Sequence, residues 1–308
     1  MECINCNSKK LEKKIAYTNI DEKITTNIDL SEKEILSCLD CGLVFCANIS
    51  IVELDNYYKA VNSFLDDENQ KEKSKIKNEN WAPFNSRFFS QFMYFKQYVG
   101  LDKISSVLEI GPSSQGILPT IKFFKKKIKY YFIDQINSKS MIKNGGIHIG
   151  TYFDPEKINL PSVNLIWMSH SLEHIHPDLF INTLKKIYEA LSIGGIFFIE
   201  VPDNLKEKKF YFPHTLFFYE KTLTNILKKN GFKIISSQSL EKVSVEEKNV
   251  NSENTFSKKN NFLIKVVKKF IKIFLPENLR QRFLLFYAVK NLNGHYSERP
   301  NIRIIAQK

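Results

Sequence analysis

Short apolar runs alternate with amphipathic stretches through the middle of the chain. Ser106 to Ile110, Lys129 to Ile133, Ile147 to Ile149, Val163 to Met168, Ile196 to Val201 and Phe232 to Ile235 each read as a strand. Val163 to Met168 is apolar enough to be covered on both faces. Ile117 to Lys127 suits a helix. Asp178 to Leu191 has apolar residues at 179, 180, 184, 187 and 191, an amphipathic helix, and Lys221 to Asn230 is another helix. Gly194-Gly195 and Gly231 stand where these two helices are expected to stop. Asn301 to Ala306 adds a late strand. Strands alternating with helices predict an α/β fold, doubly wound around a mostly parallel, Rossmann-like sheet.

The rhythm fails on both flanks. Residues 51–80 are polar and charge-dense, which reads as a linker or a solvated helix. Phe88, Phe89, Phe92, Met93, Phe95 and Tyr98 then recur near helical spacing, so a helix leads into the α/β region. Within 241–299, Phe262, Leu263, Val266, Val267, Phe270, Ile271 and Phe274 share one helical face, with Lys265, Lys268, Lys269 and Lys272 opposite. Such a face packs as a lid or rests on a membrane surface, and core packing is the commoner role. The organisation expected is a module over 1–50, a linker and leading helix over 51–103, and an α/β domain over 104–308. A helical insertion at about 241–299 interrupts that domain.

Cys3-x-x-Cys6 and Cys38-x-x-Cys41-Gly42 are two thiol pairs separated by 31 residues. Two residues between thiols let a tight turn aim both sulfurs at one tetrahedral ion, and Gly42 relaxes the second turn. Ile24 to Leu30 with Glu34 to Leu36 would supply a hairpin between the pairs. Four of only five cysteines fall in this pattern, which favours zinc over chance pairing. Four thiolates leave no open coordination position, so the zinc would be structural. Cys46 is the spare, expected to be buried.

No apolar run reaches the ~20 residues of a membrane span, and the N-terminus has no secretory pattern, so a cytoplasmic protein is expected. The net charge of +12 lies late in the chain: residues 241–308 hold 14 basic and 6 acidic side chains. Only five of the 45 basic residues are arginine, the better reader of bases and phosphates, which argues against a nucleic-acid partner.

Gly111-Pro112-Ser113-Ser114-Gln115-Gly116 follows the first strand of the α/β region. It is a degenerate G-x-G-x-x-G turn, with Ser113 at the middle glycine. Such a turn sets backbone N–H groups and a helix start beside a ligand, or merely connects strand to helix. Asp134 ends the next strand, where a carboxylate can accept two ribose hydroxyl protons or simply cap a loop. His170, His174 and His176, with Glu173 and Asp178, have metal-ligand chemistry, but Pro177 argues against one continuous helix presenting them.

The ordered series resembles the S-adenosylmethionine-dependent methyltransferase family. Glu109-Ile110-Gly111 is similar to its acidic-x-glycine signature, and Asp134 matches its ribose-binding acid. Ser169-His170-Ser171-Leu172-Glu173-His174 resembles its S-x-x-L-E-H segment. Gly194-Gly195 through Val201-Pro202-Asp203-Asn204 resembles the segment around its fifth strand. The likeness runs from Val107 to Ile235. It implies a methyltransferase sheet with S-adenosylmethionine held by Glu109, Gly111, Pro112, Ser113, Gly116, Asp134 and His170.

With the cysteine module, the chain resembles deoxysugar methyltransferases, including C-methyltransferases. Those place a histidine, usually after a glutamate, near His214. Here Pro213 replaces the glutamate, which weighs against C-methylation and leaves His214 either as the catalytic base or as a buried histidine holding its loop by a hydrogen bond. Tyr211, Phe212, Phe217, Phe218 and Tyr219 would form an apolar wall for a sugar face. The expected activity is methyl transfer to a sugar, glycan precursor or related small molecule. The alternatives are a nucleic-acid methyltransferase and a non-catalytic protein with a degraded cofactor pocket.

Overall fold

The computed structural model describes residues 1–14, 17–19, 29–61, 86–112, 116–125, 127–134, 139–207, 209–241 and 300–308. The N-terminal strands are β1 (Leu11–Lys13), β2 (Thr18–Asn19), β3 (Glu34–Cys38) and β4 (Val44–Ala47). Helix α1 (51–61) and α2 (Ser86–Lys96) follow. The α/β region runs β5 (Ser106–Ile110), α3 (Leu118–Phe124), β6 (Lys129–Ile133), α4 (Lys139–Lys143), β7 (Gly146–Gly150) and β8 (Val163–Ser169). It continues through α5 (Phe180–Ala190), β9 (Leu191–Pro202), α6 (Asn204–Glu207), β10 (Tyr211–Phe212), β11 (Leu216–Phe217) and α7 (Glu220–Lys229). Strands β12 (Lys233–Leu240) and β13 (Asn301–Gln307) complete the described chain.

Seven strands form the central sheet in the order β12-β13-β9-β8-β5-β6-β7. Those from β9 to β7 are parallel, and β13 runs antiparallel between β9 and β12. Side-chain alternation divides the core. Leu108, Ile166, Met168, Phe197 and Ile199 pack against α5 and α7. Val107, Leu165, Trp167 and Phe198 pack against the phenylalanines of α2, with Trp167 and Phe198 stacked at 3.7 Å. Burial on both faces explains why these strands are almost continuously apolar. From β5 the chain winds outward to β6 and β7, then returns to β8 on the other side of β5. Connections therefore diverge between β5 and β8, which opens a crevice at their carboxyl ends.

A second sheet, β1-β3-β4-β11, joins the N-terminal hairpin to the α/β region, because β11 pairs antiparallel with β4. The two-residue strands β2 and β10 pair parallel. Leu36, Leu43 and Phe45 share a hydrophobic core with Leu108 and Leu216.

Three local expectations change. Helix α5 ends at Ala190, before Gly194-Gly195. Those glycines lie in an outward bulge of β9, since Leu191 pairs with Val163 and Ile196 with Leu165. Gly194, at φ +73°, takes the left-handed conformation the bulge requires. Residues 51–61 form a docked helix, with Leu54 and Tyr57 buried against Val44 and Phe212. Leu30 lies in a 3-10 turn, Leu30–Glu32, and the hairpin partner of β3 is β4. Residues 24–28 lie outside the described residues, as do 242–299 with the helical face at 262–274. Among the described residues no helix is long and apolar enough to cross a membrane.

Candidate functional site

The crevice begins at Gly111, which follows β5 with φ +72°. A Cβ here would meet Ser171 Oγ at 2.7 Å and Ser171 Cβ at 2.9 Å. The backbone of β5 therefore approaches the loop after β8 too closely for any side chain. Ser171 Oγ donates to Ile110 O at 2.7 Å, tying the two strand ends together. Pro112 is buried, and Gly116 has φ +57° with Glu109 and Pro112 closing over it. Ser113 lies outside the described residues.

Glu109 is turned into the fold. Its carboxylate accepts from Ile117 N–H at the start of α3, at 2.9 Å, and from the Tyr130 hydroxyl. Burial raises its pKa to about 8, against the Ile117 hydrogen bond. Glu109 thus anchors the start of α3 to β6 from within. Asp134, at the end of β6, is buried beside this turn, and its carbonyl meets His148 Nε2 at 3.1 Å.

His170 leaves β8 with φ +54°, in the left-handed region that non-glycine residues rarely occupy. Its N–H donates to Glu200 O at 2.8 Å. Its ring spans two carboxylates, with Nε2 at 3.2 Å from Glu200 Oε1 and Nδ1 at 3.4 Å from Glu173 Oε1. Burial works against its charge, yet the hydrogen bonds and charges of Glu173 and Glu200 raise its pKa to about 9. Despite burial, Glu173 is held at about 2 by His170, with His174 and His214 adding to it. Glu200 is held at about 2 against burial, mainly by Arg303 and His170.

Glu200 is the residue that motif reading missed as a site residue. It accepts from Arg303 Nε and from Gln91 Nε2 at 2.5 Å, while Gln91 also donates to Ser169 Oγ at 2.7 Å. Acidic and basic residues within apolar strands were the available signal: Glu200 within Phe197-Phe198-Ile199-Glu200-Val201, and Arg303 within Ile302-Arg303-Ile304. A charge is rarely buried without a partner.

The loop after β10 brings His214 against the loop after β8. His174 and His214 rings cross at 82°, with centroids 4.7 Å apart. Ligand-capable atoms of Glu173, His174 and His214 all lie within 4.8 Å of one another. Among the described residues, Glu173 Oε2, His174 Nδ1 and the buried Tyr58 hydroxyl have no hydrogen-bond partner, and Glu173 Oε1 meets only His170. The Tyr58 and His174 rings are 6.1 Å apart. Burial lowers the His174 pKa, favouring neutral imidazole. Two imidazoles and a carboxylate can take a divalent ion. Here the imidazolium of His170 already supplies the counter-charge of Glu173. His176 lies apart, accepting from Asp178 N–H at 3.2 Å and meeting Ile49 O at 2.9 Å. The expected aromatic wall is not an open face: Phe212, Phe217 and Phe218 are fully buried in the hydrophobic cores. Tyr211 instead lies 4.2 Å from the His214 ring.

The four cysteines converge. Cys3 and Cys41 sulfurs are 3.6 Å apart, Cys6 and Cys38 sulfurs 3.5 Å, and all four lie within 4.8 Å of one another. A tetrahedron of Zn–S bonds has edges of about 3.8 Å, so the donor set fits one ion. Burial opposes ionisation of Cys38, yet Cys41 and Asp40 N–H groups and neighbouring thiols bring its pKa to about 7. Cys46 is buried outside the cluster.

Residues 84–237 match the family model described as methyltransferase domain. No curated relative matches the chain. Solved structures of similar shape include a Burkholderia thailandensis 1,6-didemethyltoxoflavin-N1-methyltransferase. It is 13% identical, with 92% of this chain and 98% of that one covered and a TM-score of 0.47. Coclaurine N-methyltransferase is 13% identical, with 76% of each chain covered and a TM-score of 0.45. An Archaeoglobus fulgidus SAM-dependent methyltransferase is 17% identical, covering 71% and 92%, with a TM-score of 0.43.

Proposed function

The chain belongs to the methyltransferase-domain family; we propose that it transfers the methyl group of S-adenosylmethionine to a hydroxyl-bearing small molecule, a sugar or glycan precursor, seated against His214. The observation that carries this reading is the cluster of buried polar atoms around His214. Among the described residues, Glu173 Oε2, His174 Nδ1 and the Tyr58 hydroxyl have no hydrogen-bond partner, and Glu173 Oε1 has only the 3.4 Å ion pair with His170. Such atoms cost free energy unless a bound group satisfies them, and an acceptor rich in hydroxyls does so.

S-adenosylmethionine supplies an electrophilic methyl group on a sulfonium. The turn Gly111–Gly116 would hold it through backbone N–H groups, with Asp134 accepting from ribose hydroxyls. Glu109 anchors the start of α3, and His170, fixed between Glu173 and Glu200, closes the crevice beside the turn. Glu173 and Tyr58 orient the acceptor. A ring nitrogen of His214 would accept the proton of the acceptor hydroxyl, and the adjacent Glu173 carboxylate would stabilise the imidazolium. The four thiolates would bind one structural zinc. Zinc-bound thiolates suit a reducing, cytoplasmic setting.

The test is release of S-adenosylhomocysteine from the purified enzyme given S-adenosylmethionine and a panel of nucleotide-linked deoxysugars, glycans, RNA and DNA. Turnover is expected with a sugar and absent with nucleic acid. Turnover with nucleic acid alone, or with no hydroxylated small molecule, overturns the reading.

A further inference from the structure

The segment that carries His214 is gripped by the cysteine module. Leu216 and Phe217 pair with Phe45 and Val44, and Cys46 N–H donates to Thr215 O at 2.8 Å. On the other flank, Tyr211 and Phe212 pair with Thr18 and Asn19. Between these two pairings, the buried Tyr17 hydroxyl donates to the His214 carbonyl at 2.6 Å. The opposite side of the loop is fixed to the site. Thr215 N–H donates to Glu173 O at 2.8 Å, and Thr215 Oγ1 donates to Ile175 O at 2.6 Å.

The cysteines stand at the root of that grip. Cys38 ends β3, and Cys41 precedes β4 by three residues. The turn between them closes through Gly42 N–H to Cys38 O, 2.8 Å, and Cys38 N–H to Leu43 O, 2.9 Å. A Cβ on Gly42 would meet Thr222 Oγ1 at 2.8 Å, so this turn is also seated on α7, just beyond the His214 loop. A two-stranded hairpin is marginal alone, and a metal on its cysteines supplies folding free energy directly. By contrast, Gly111 and Asp134 follow β5 and β6, which hydrogen-bond only to strands of the central sheet and meet the module through a shared apolar core alone.

We propose that the metal-bound module is the positioning device for His214, with Tyr17 as the positioning residue. Metal on Cys3, Cys6, Cys38 and Cys41 fixes the β3–β4 hairpin. The hairpin and Tyr17 then set the height of the His214 backbone against Glu173 and His174. Loss of metal frees the 211–218 segment while the cofactor turn persists. The acceptor side is thus tied to the module by backbone hydrogen bonds and the cofactor side only by apolar packing, so metal loss acts chiefly on the first. The proposal rests on the acceptor-side role given above to His214.

The experiment compares full-length protein before and after metal removal with a chelator under reducing conditions. Amide hydrogen exchange across 211–218 should speed at least tenfold, β5 and β6 should keep their protection, and S-adenosylhomocysteine affinity should change less than about threefold. In the metal-loaded protein, Tyr17→Phe removes only the hydroxyl. It should shift the His214 ring signals in histidine-labelled NMR spectra and leave those of His148 in place. Unchanged protection of 211–218 after verified metal loss, or unmoved His214 signals in Tyr17→Phe, overturns the proposal. Undiminished methyl transfer by His214→Ala would instead remove the base reading and leave the exchange and NMR results standing.

Discussion

Arg303 and Glu200 stand opposite one another on neighbouring antiparallel strands, and their side chains pair where neither is exposed to solvent. Glu200 also receives Gln91 and His170, so one carboxylate joins the core of the sheet to the loop after β8. Arg303→Met leaves that buried charge with fewer partners and should cost about 3 kcal/mol of stability. Adding Glu200→Gln should recover part of the loss. Urea unfolding measures both, and a single-variant loss below about 1 kcal/mol would mean that His170 and Gln91 suffice for Glu200.

The carboxylates around His170 make stability depend on pH. His170 rises from an ordinary 6.5 to about 9 in the folded protein. Its contribution is complete below pH 6.5 and is lost as pH climbs toward 9. Glu173 and Glu200 shift the other way, from 4.5 to about 2, so their contributions hold above pH 4.5 and vanish as pH falls toward 2. Glu109, raised to about 8, loses stability as pH rises from 4.5 to 8, in the same direction as His170. Melting temperatures from pH 6.5 to 9 should fall less steeply in His170→Gln than in the wild type. Equal slopes would place the His170 titration elsewhere.

Gly111→Ala puts a methyl group at φ +72°, against Ser171. The left-handed backbone alone costs ~1–2 kcal/mol for such a residue. The Ser171 contact lies where the crevice opens, so S-adenosylmethionine affinity should drop by at least about tenfold. Asp134→Ala should weaken binding comparably with little change in melting temperature. Titration calorimetry decides, and wild-type affinity in both variants would move the cofactor site away from this turn.

Much of this was legible in sequence because the strands of the central sheet are short and apolar and their helices have clear stripes. Val163 to Met168 and Asp178 to Leu191 fall on β8 and α5 to within a few residues. Gly194-Gly195 misled because glycine serves a helix stop and a strand bulge equally well. Tyr58 was hidden for another reason. Its segment is polar by composition, and only the tertiary partners Val44 and Phe212 reveal that α1 packs inward. The Tyr17–His214 bond spans 197 positions, a separation at which periodicity carries no information. The aromatics around His214 were read as a surface because sequence gives their identity but not their depth.

The cysteine cluster should carry one zinc per chain in protein purified without added metal, by elemental analysis. Cys38→Ser removes a ligand from the end of β3 and should abolish stoichiometric zinc and release the N-terminal hairpin to protease. The central sheet should lose stability with it, because Leu36, Leu43 and Phe45 belong to its hydrophobic core. Four titratable thiols in a metal-free, protease-resistant protein would show that packing alone holds the cluster.

His214 and Glu173 should separate chemistry from cofactor binding. A general base contributes ~10²–10⁴ in rate. His214→Ala should therefore slow single-turnover methyl transfer by about that factor once the acceptor is identified, with S-adenosylmethionine affinity nearly unchanged. Glu173 also bridges to His170, so Glu173→Gln removes a charge that holds His170 and leaves the acceptor poorly oriented. Its loss should appear in both turnover and acceptor KM, whereas His214→Ala should act mainly on turnover. If His214→Ala loses less than about threefold while Glu173→Gln abolishes transfer, the proton leaves through the carboxylate. His214 would then serve to close the acceptor site.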